Sequence, residues 1–143
     1  MFEQDYLMRL LLQMAAAIQR SLEQAKKDKD PAGAAEALES TINSATDIDG
    51  AVLLTLAPES IASVMQVSGT NPQVAQYISR TLLLESQYLI EAGSTQKAKL
   101  REEQAHAIAN AFGFEVEIEM LTEEEWETFF AETGVIKDPA ESN

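Results

Sequence analysis

Hydrophobic residues recur at helical spacing over most of this chain, and the first stretch is the most apolar. Intervals of three and four residues between apolar positions predict a helix from about Gln4 to Lys27. Apolar side chains cover about two thirds of its circumference, roughly twice the share that an ordinary surface helix buries. We therefore expect this helix to contact more than one neighbour. Its main apolar line consists of Leu7, Leu11, Met14, Ile18 and Leu22.

A second set of apolar side chains is left over once the main line is packed. We expect the main line to face the other helices, whereas Met8, Leu10 and Leu12 form a candidate interface. Two occupants are compatible with the sequence. One is the C-terminal helix that carries Trp126, and the other is the first helix of a second copy, which would make a homodimer.

Proline and glycine mark the limits of the following helices. Asp30 and Asn71 each precede a proline, which is the pattern of an N-cap followed by proline at the first helical position. Gly93 and Gly113 stand where a left-handed residue ends a helix. The sequence therefore predicts helices over about 31–46, from Pro58, from Pro72 to Gly93 and over 94–112, with a short turn over 51–56 capped by Asp49.

The chain changes character after Gly113. Apolar and acidic residues alternate strictly from Phe114 to Met120, which favours an extended segment, although a helix through the same residues is also compatible with the pattern. Thr122 and Glu125 then form a capping box that predicts a last helix. Its aromatic stripe has two interpretations, core packing or a docking surface for a partner, so its members are candidate interface residues: Trp126, Phe129 and Phe130.

Three features resemble a family of uncharacterised bacterial proteins with helical hairpins similar to tetratricopeptide repeats. They are the opening Phe2-Glu-Gln-Asp-Tyr-Leu-Met-Arg-Leu, a Leu-x-Pro-Glu-Ser-Ile turn, and the spacing of Gly93, Ala98 and Ala105. The resemblance covers about residues 1–113 and implies no biochemical activity. We predict an all-α fold in which antiparallel helical hairpins form a short tetratricopeptide-like array over 1–113. An acidic C-terminal appendage, 114–143, follows it.

Charge and composition exclude several classes of partner. The formal net charge is −14, and residues 114–143 hold ten acids against Lys137 alone. Nucleic acids and anionic membranes are bound through excess Lys and Arg, so we expect neither as a partner. The chain has no cysteine, which removes disulfides and thiolate sites and favours the cytoplasm. The apolar run in the first helix is too short to span a membrane and has no basic leader.

The candidate chemistry is sparse. His106 is the only histidine, so its Glu-x-x-His motif has no second copy with which to build a di-iron site, and we expect it to be solvated. Asp47-Ile-Asp49-Gly50 lacks the first and last ligands of a calcium loop and predicts a cap and turn. Arg101 is expected to lie over the apolar side of its helix, or to anchor an acidic partner or the acidic C-terminal segment of the chain itself. We predict no catalytic residue, no metal and no cofactor.

These observations favour a non-catalytic protein–protein interaction or assembly module, with a homodimer through the first helix as one form. The alternative is a domain that holds a small apolar or peptide ligand between helices, which requires a cavity of about 300 Å³. An enzyme is the third hypothesis. It requires a buried or perturbed pair of acids, and such a pair is not visible in the sequence.

Overall fold

The computed structural model describes residues 2–46 and 50–135, and it confirms the all-α class. No strand occurs among the described residues. Within these two ranges, seven α-helices and one 3-10 helix follow one another: α1 (Phe2–Lys26), α2 (Pro31–Ala45), α3 (Gly50–Leu53), α4 (Pro58–Val67), α5 (Pro72–Glu91), α6 (Thr95–Phe112), the 3-10 helix (Ile118–Leu121) and α7 (Glu123–Glu132).

The helices begin where the sequence predicts caps. The Asp30 carboxylate accepts a hydrogen bond from the Gly33 amide at 3.0 Å, and the Asn71 side chain accepts one from the Gln73 amide at 2.8 Å. These bonds satisfy amides that have no partner inside the helix. Gly113 ends α6 with a φ of 79°, a conformation that favours glycine. The predicted cap Asp49 and the rest of residues 47–49 lie outside the described residues.

Helices adjacent in the sequence pair into hairpins. α1 packs on α2 and α5 packs on α6, while α2 joins the two hairpins by packing on α5, and α4 covers α6. α1 also touches α5 directly, where the Ser21 and Tyr88 hydroxyls lie 3.4 Å apart. The pairing agrees with the predicted arrangement of helical hairpins.

One core serves the whole described chain. The predicted line of α1 turns inward, with Leu11, Met14 and Ile18 fully buried. The same core includes Val116 and Trp126 from the C-terminal segment. As far as Val135, the acidic segment therefore packs into the hairpin domain instead of extending from it.

The segment that allowed two interpretations combines both. Residues 114–117 form neither helix nor strand, and the backbone of Glu117 is extended, with φ of −139° and ψ of 156°. The 3-10 helix then covers Ile118–Leu121. The alternating apolar residues do not line one face of a sheet here. Val116 is buried, whereas Ile118 is half exposed.

Candidate functional site

The six predicted interface residues lie in three different places. Trp126, Phe129 and Phe130 are buried in the core, with exposed fractions of 1%, 5% and 1%. The ring centres of Phe129 and Tyr77 are 4.7 Å apart, and the Arg80 guanidinium lies 3.9 Å from the centre of the Phe129 ring. Of the two interpretations of the aromatic stripe, the structure agrees with core packing and not with a docking surface, because the three rings pack between α7 and α5.

Met8 and Leu12 are exposed on the outer side of α1. Their exposed fractions are 38% and 44%, and one helical turn separates them. The C-terminal helix reaches α1 farther along, where the Lys26 ammonium is 3.5 Å from the Glu123 carboxylate. Of the two predicted occupants, the described part of the C-terminal helix therefore does not cover this pair.

Leu10 belongs to a groove on another side of α1. It follows Met8 by two residues, which is about 200° around the helix. The groove has a volume of about 350 Å³ and lies among the N-terminal half of α1, the end of α2 and the α4–α5 loop. Its apolar part is formed by Leu7, Leu10 and Val74, and the Tyr6 ring stands beside them with 60% of its surface exposed.

None of the described residues that line this groove carries a charge. The polar ones are amides and hydroxyls, and several are already engaged in local hydrogen bonds. Asn71 caps α5, and the Ser68 hydroxyl donates to the carbonyl of Met65 at 3.1 Å. Such a lining can hold apolar side chains and orient them with few hydrogen bonds, but it offers no acid, base or nucleophile.

A buried polar network joins α2, α5 and α6 and was not predicted. The Arg101 Nε atom donates to Glu85 Oε2 at 2.9 Å, and its Nη1 atom donates to the Leu54 carbonyl at 2.9 Å. The Gln104 amide donates to the carbonyls of Leu54 at 3.0 Å and Leu56 at 2.9 Å. These bonds satisfy backbone carbonyls just after α3, which would otherwise be buried without a donor.

Arg101 therefore anchors acidic residues of its own chain, but none in the part of the C-terminal segment that the structure describes. Its partners are Glu85 on α5 and Glu39 on α2. The sequence carried one signal for this arrangement. Glu85 interrupts the apolar stripe of α5 between Leu82 and Leu89, and a carboxylate at a buried stripe position requires a partner.

The two carboxyl groups of this network have shifted pKa values in opposite directions. Burial raises the pKa of Glu85 to about 7, against the opposing effect of Arg101. Burial also acts to raise the pKa of Glu39, but Lys97 and Arg101 outweigh it and the net shift is downward. A perturbed acid pair is thus present. Glu85 has no exposed surface, however, and the Arg101 side chain is only 4% exposed.

His106 is exposed, as predicted, but it also connects two segments. Its Nδ1 atom lies 3.1 Å from the carbonyl oxygen of Glu102, and its Nε2 atom lies 3.1 Å from that of Val116. The side chain therefore links α6 to the extended segment after it. Within the described ranges, no group of three or more His, Asp or Glu side chains is arranged to hold a metal ion.

None of the described helices combines the length and the apolar character needed to cross a membrane. Comparisons of the chain with protein-family models, curated proteins and solved structures find no match. The resemblance to a bacterial family with tetratricopeptide-like hairpins therefore remains a prediction.

Proposed function

We propose that this protein is a non-catalytic interaction module that binds a partner protein through the N-terminal half of α1. The observation that carries the proposal is the groove beside Leu10. It is apolar at Leu7, Leu10 and Val74, uncharged along its described lining, and flanked by the exposed ring of Tyr6. Aromatic and aliphatic side chains that are exposed at a concave surface are typical of protein interfaces.

The size of the groove supports a particular kind of occupant. A volume of about 350 Å³ is at the small end of ligand pockets, which hold roughly 300 to 1,000 Å³. It suits a few apolar side chains better than a large cofactor. An amphipathic helix that inserts two neighbouring apolar residues is the mode of recognition that fits best.

The net charge further limits which classes of partner the protein can bind. The net charge of −14 repels acidic proteins and nucleic acids, and it opposes the association of two identical chains. We therefore propose a partner of another sequence, with a homodimer as the second candidate because Met8 and Leu12 are exposed. The absence of cysteine supports a cytoplasmic location for both.

Affinity purification with matched surface variants tests this proposal. Leu10→Gln alters the groove, whereas Ile90→Gln makes the same kind of change at an apolar residue of α5 that is 48% exposed and outside the groove. The proposal predicts that specific partner proteins are recovered with the wild type and Ile90→Gln but lost with Leu10→Gln. Equal recovery with all three chains would remove the groove from the account.

The alternative function is the binding of a free apolar or peptide ligand in the same groove. The volume of about 350 Å³ favours it as well, since it meets the requirement of about 300 Å³. Native mass spectrometry of the chain purified from its source cell separates the two hypotheses. A bound small molecule that Leu10→Gln releases would support the alternative.

A further inference from the structure

A single buried junction connects α2, α5 and α6. Glu85 is fully buried there, and only one of its two carboxyl oxygens is satisfied. Oε2 accepts the 2.9 Å hydrogen bond from Arg101, while Oε1 is buried and receives no hydrogen bond. Burying an ionised carboxylate with one oxygen unpaired is unfavourable in free energy, because no donor replaces the water molecules that the oxygen loses.

Glu39 supplies the missing contact if one of the two acids is protonated. Its Oε1 atom lies 3.4 Å from Arg101 Nη2, and its Oε2 atom lies 2.9 Å from the Lys97 ammonium. One guanidinium thus binds both carboxyl groups, Glu85 through Nε and Glu39 through Nη2, which brings the two groups side by side. Two neighbouring carboxyl groups repel each other when both are ionised, and a hydrogen bond joins them only when they share a proton.

The proton belongs on Glu85. Glu39 keeps 27% of its side chain exposed and has a lysine partner, so it is the better place for a negative charge. Glu85 contacts neither solvent nor a second cation. A proton on its unpaired Oε1 atom turns that oxygen into a hydrogen-bond donor to Glu39. The arrangement is an acid–carboxylate pair clamped by Arg101.

We propose that Glu85 and Glu39 share one proton and that loss of this proton separates them, which moves the Glu39 carboxylate outward and loosens the contact of α2 with α5 and α6. The pair is therefore a proton-sensitive contact built into the core. It acts on the junction of the two hairpins, away from the groove beside Leu10, and does not depend on the proposed function.

The surroundings decide which group moves. The charged groups that face the pair among the described residues are Arg101 and Lys97 from α6 and Glu36 from α2, while the α3–α4 connection contributes only the carbonyls of Leu54 and Leu56. Arg101 is held by its hydrogen bonds to the Leu54 carbonyl and to the Gln104 side chain. Glu39 lines an open groove of about 470 Å³ that also contains Glu36 and Lys97, so it has space to move.

The sign of the pH effect follows from the folded and unfolded states. The pKa of Glu85 is about 7 in the fold, against about 4.5 for a free glutamate. Between these values the folded chain holds a proton that the unfolded chain has released. The contribution of Glu85 to the free energy of unfolding is therefore fully present below pH 4.5 and is lost as the pH rises through 7. The pKa of Glu39 is lowered, and its contribution is instead lost in acid, below pH 4.5.

Denaturant unfolding at pH 5 and pH 8 tests the proposal on the full chain. Glu85→Gln keeps a donor for Glu39 and an acceptor for Arg101 but cannot titrate. We expect the unfolding equilibrium constant of the wild type to rise between the two pH values by about 70-fold more than that of Glu85→Gln. Glu103→Gln, a control at an exposed acid of α6, should keep the wild-type dependence. Equal pH dependence of the wild type and Glu85→Gln would overturn the proposal.

Two measurements on folded protein make the test independent of variant stability. Carbon NMR of the glutamate carboxyl groups should show Glu85 titrating well above Glu39, with each group sensing the ionisation of the other. Amide hydrogen exchange in residues 36–43, corrected for its intrinsic pH dependence, should be faster at pH 8 than at pH 6 in the wild type but not in Glu85→Gln. Independent titration of both groups at ordinary glutamate values would contradict the shared proton.

Discussion

At the scale of single residues, the polar network of this protein is buried in the core, whereas the residues proposed to bind a partner are apolar and lie at the surface. Arg101, Glu85 and Gln104 are almost completely buried and bind one another and two backbone carbonyls. The side chains that line the proposed binding groove, Tyr6 and Leu10 among them, lie at the surface and outside this network. Structural polar groups and candidate interaction groups are therefore separate sets of residues.

Replacing Arg101 by alanine should destabilise the fold strongly. The change removes the hydrogen-bond donor of the buried Glu85 carboxyl group and one donor of the Leu54 carbonyl, and it deprives Glu39 of one of its two cations. A buried acceptor left without its donor costs about 1 to 3 kcal/mol, so we expect a total loss of about 3 kcal/mol. Urea unfolding measures the loss. Lys99→Ala is the control, because Lys99 is exposed on the same helix, and we expect it to change the free energy of unfolding by less than about 0.5 kcal/mol.

Trp126 offers the sharpest test of the buried aromatic cluster. Its ring is 1% exposed and packs against Phe129, Phe130 and Arg80, so Trp126→Ala creates a large cavity. We expect a loss of about 3 to 5 kcal/mol in the free energy of unfolding. A variant as stable as the wild type would mean that the ring is not in the core.

The burial of individual residues was predictable only where a local pattern decides it. The line Leu11, Met14 and Ile18 turned inward as its helical spacing predicts. The polar network could not be derived, because its members are distant in sequence: Glu39 and Arg101 are 62 residues apart. Only folding brings such groups together. A single glutamate within an apolar stripe predicts that it has a cationic partner but not which residue that partner is.

At the scale of elements, helix limits follow from caps, whereas the role of a helix follows from its neighbours. Asp30, Asn71, Thr122 and Gly113 act locally and end or begin helices where the sequence predicts. The aromatic stripe of α7 allowed two interpretations, because a stripe of this kind suits a core and a docking surface equally well. Its contacts with Tyr77 and Arg80 decide for the core.

Removing the chain after Gly113 should therefore disrupt the fold. The truncation exposes the surface of Tyr77 that faces α7. It also deletes the hydrogen bond between the Tyr77 and Thr133 hydroxyls at 2.7 Å and the one that Arg80 donates to the Met120 carbonyl at 3.3 Å. We expect a lower midpoint and a broader transition in thermal unfolding, followed by circular dichroism. An unchanged midpoint would show that α7 is a separate element.

At the scale of the whole molecule, the net charge and the placement of the apolar residues on α1 favour a monomer. This agrees with the proposal of a partner of different sequence. The net charge of −14 resists self-association, and the two apolar regions of α1 lie on opposite sides of that helix. A stable homodimer requires a large continuous apolar face. Met8 and Leu12 do not form such a face together with Leu10.

Sedimentation at micromolar concentration checks this expectation. We expect a monomer in wild type and in Leu12→Glu at ordinary ionic strength. Leu12 is 44% exposed, so the substitution should leave the fold intact. A dimer that Leu12→Glu dissociates would establish the second copy as the occupant of the outer side of α1.

Site-specific photo-crosslinking in the source cell tests the central claim most directly. A photoreactive residue in place of Tyr6, which is 60% exposed beside the groove, should form a crosslink to a discrete partner protein. The same residue in place of Ile90, which is 48% exposed on α5 outside the groove, should not form it. The account predicts a partner captured at Tyr6 and released by Leu10→Gln. Capture of the same proteins from both positions, or from neither, would contradict an interaction site at the N-terminal half of α1.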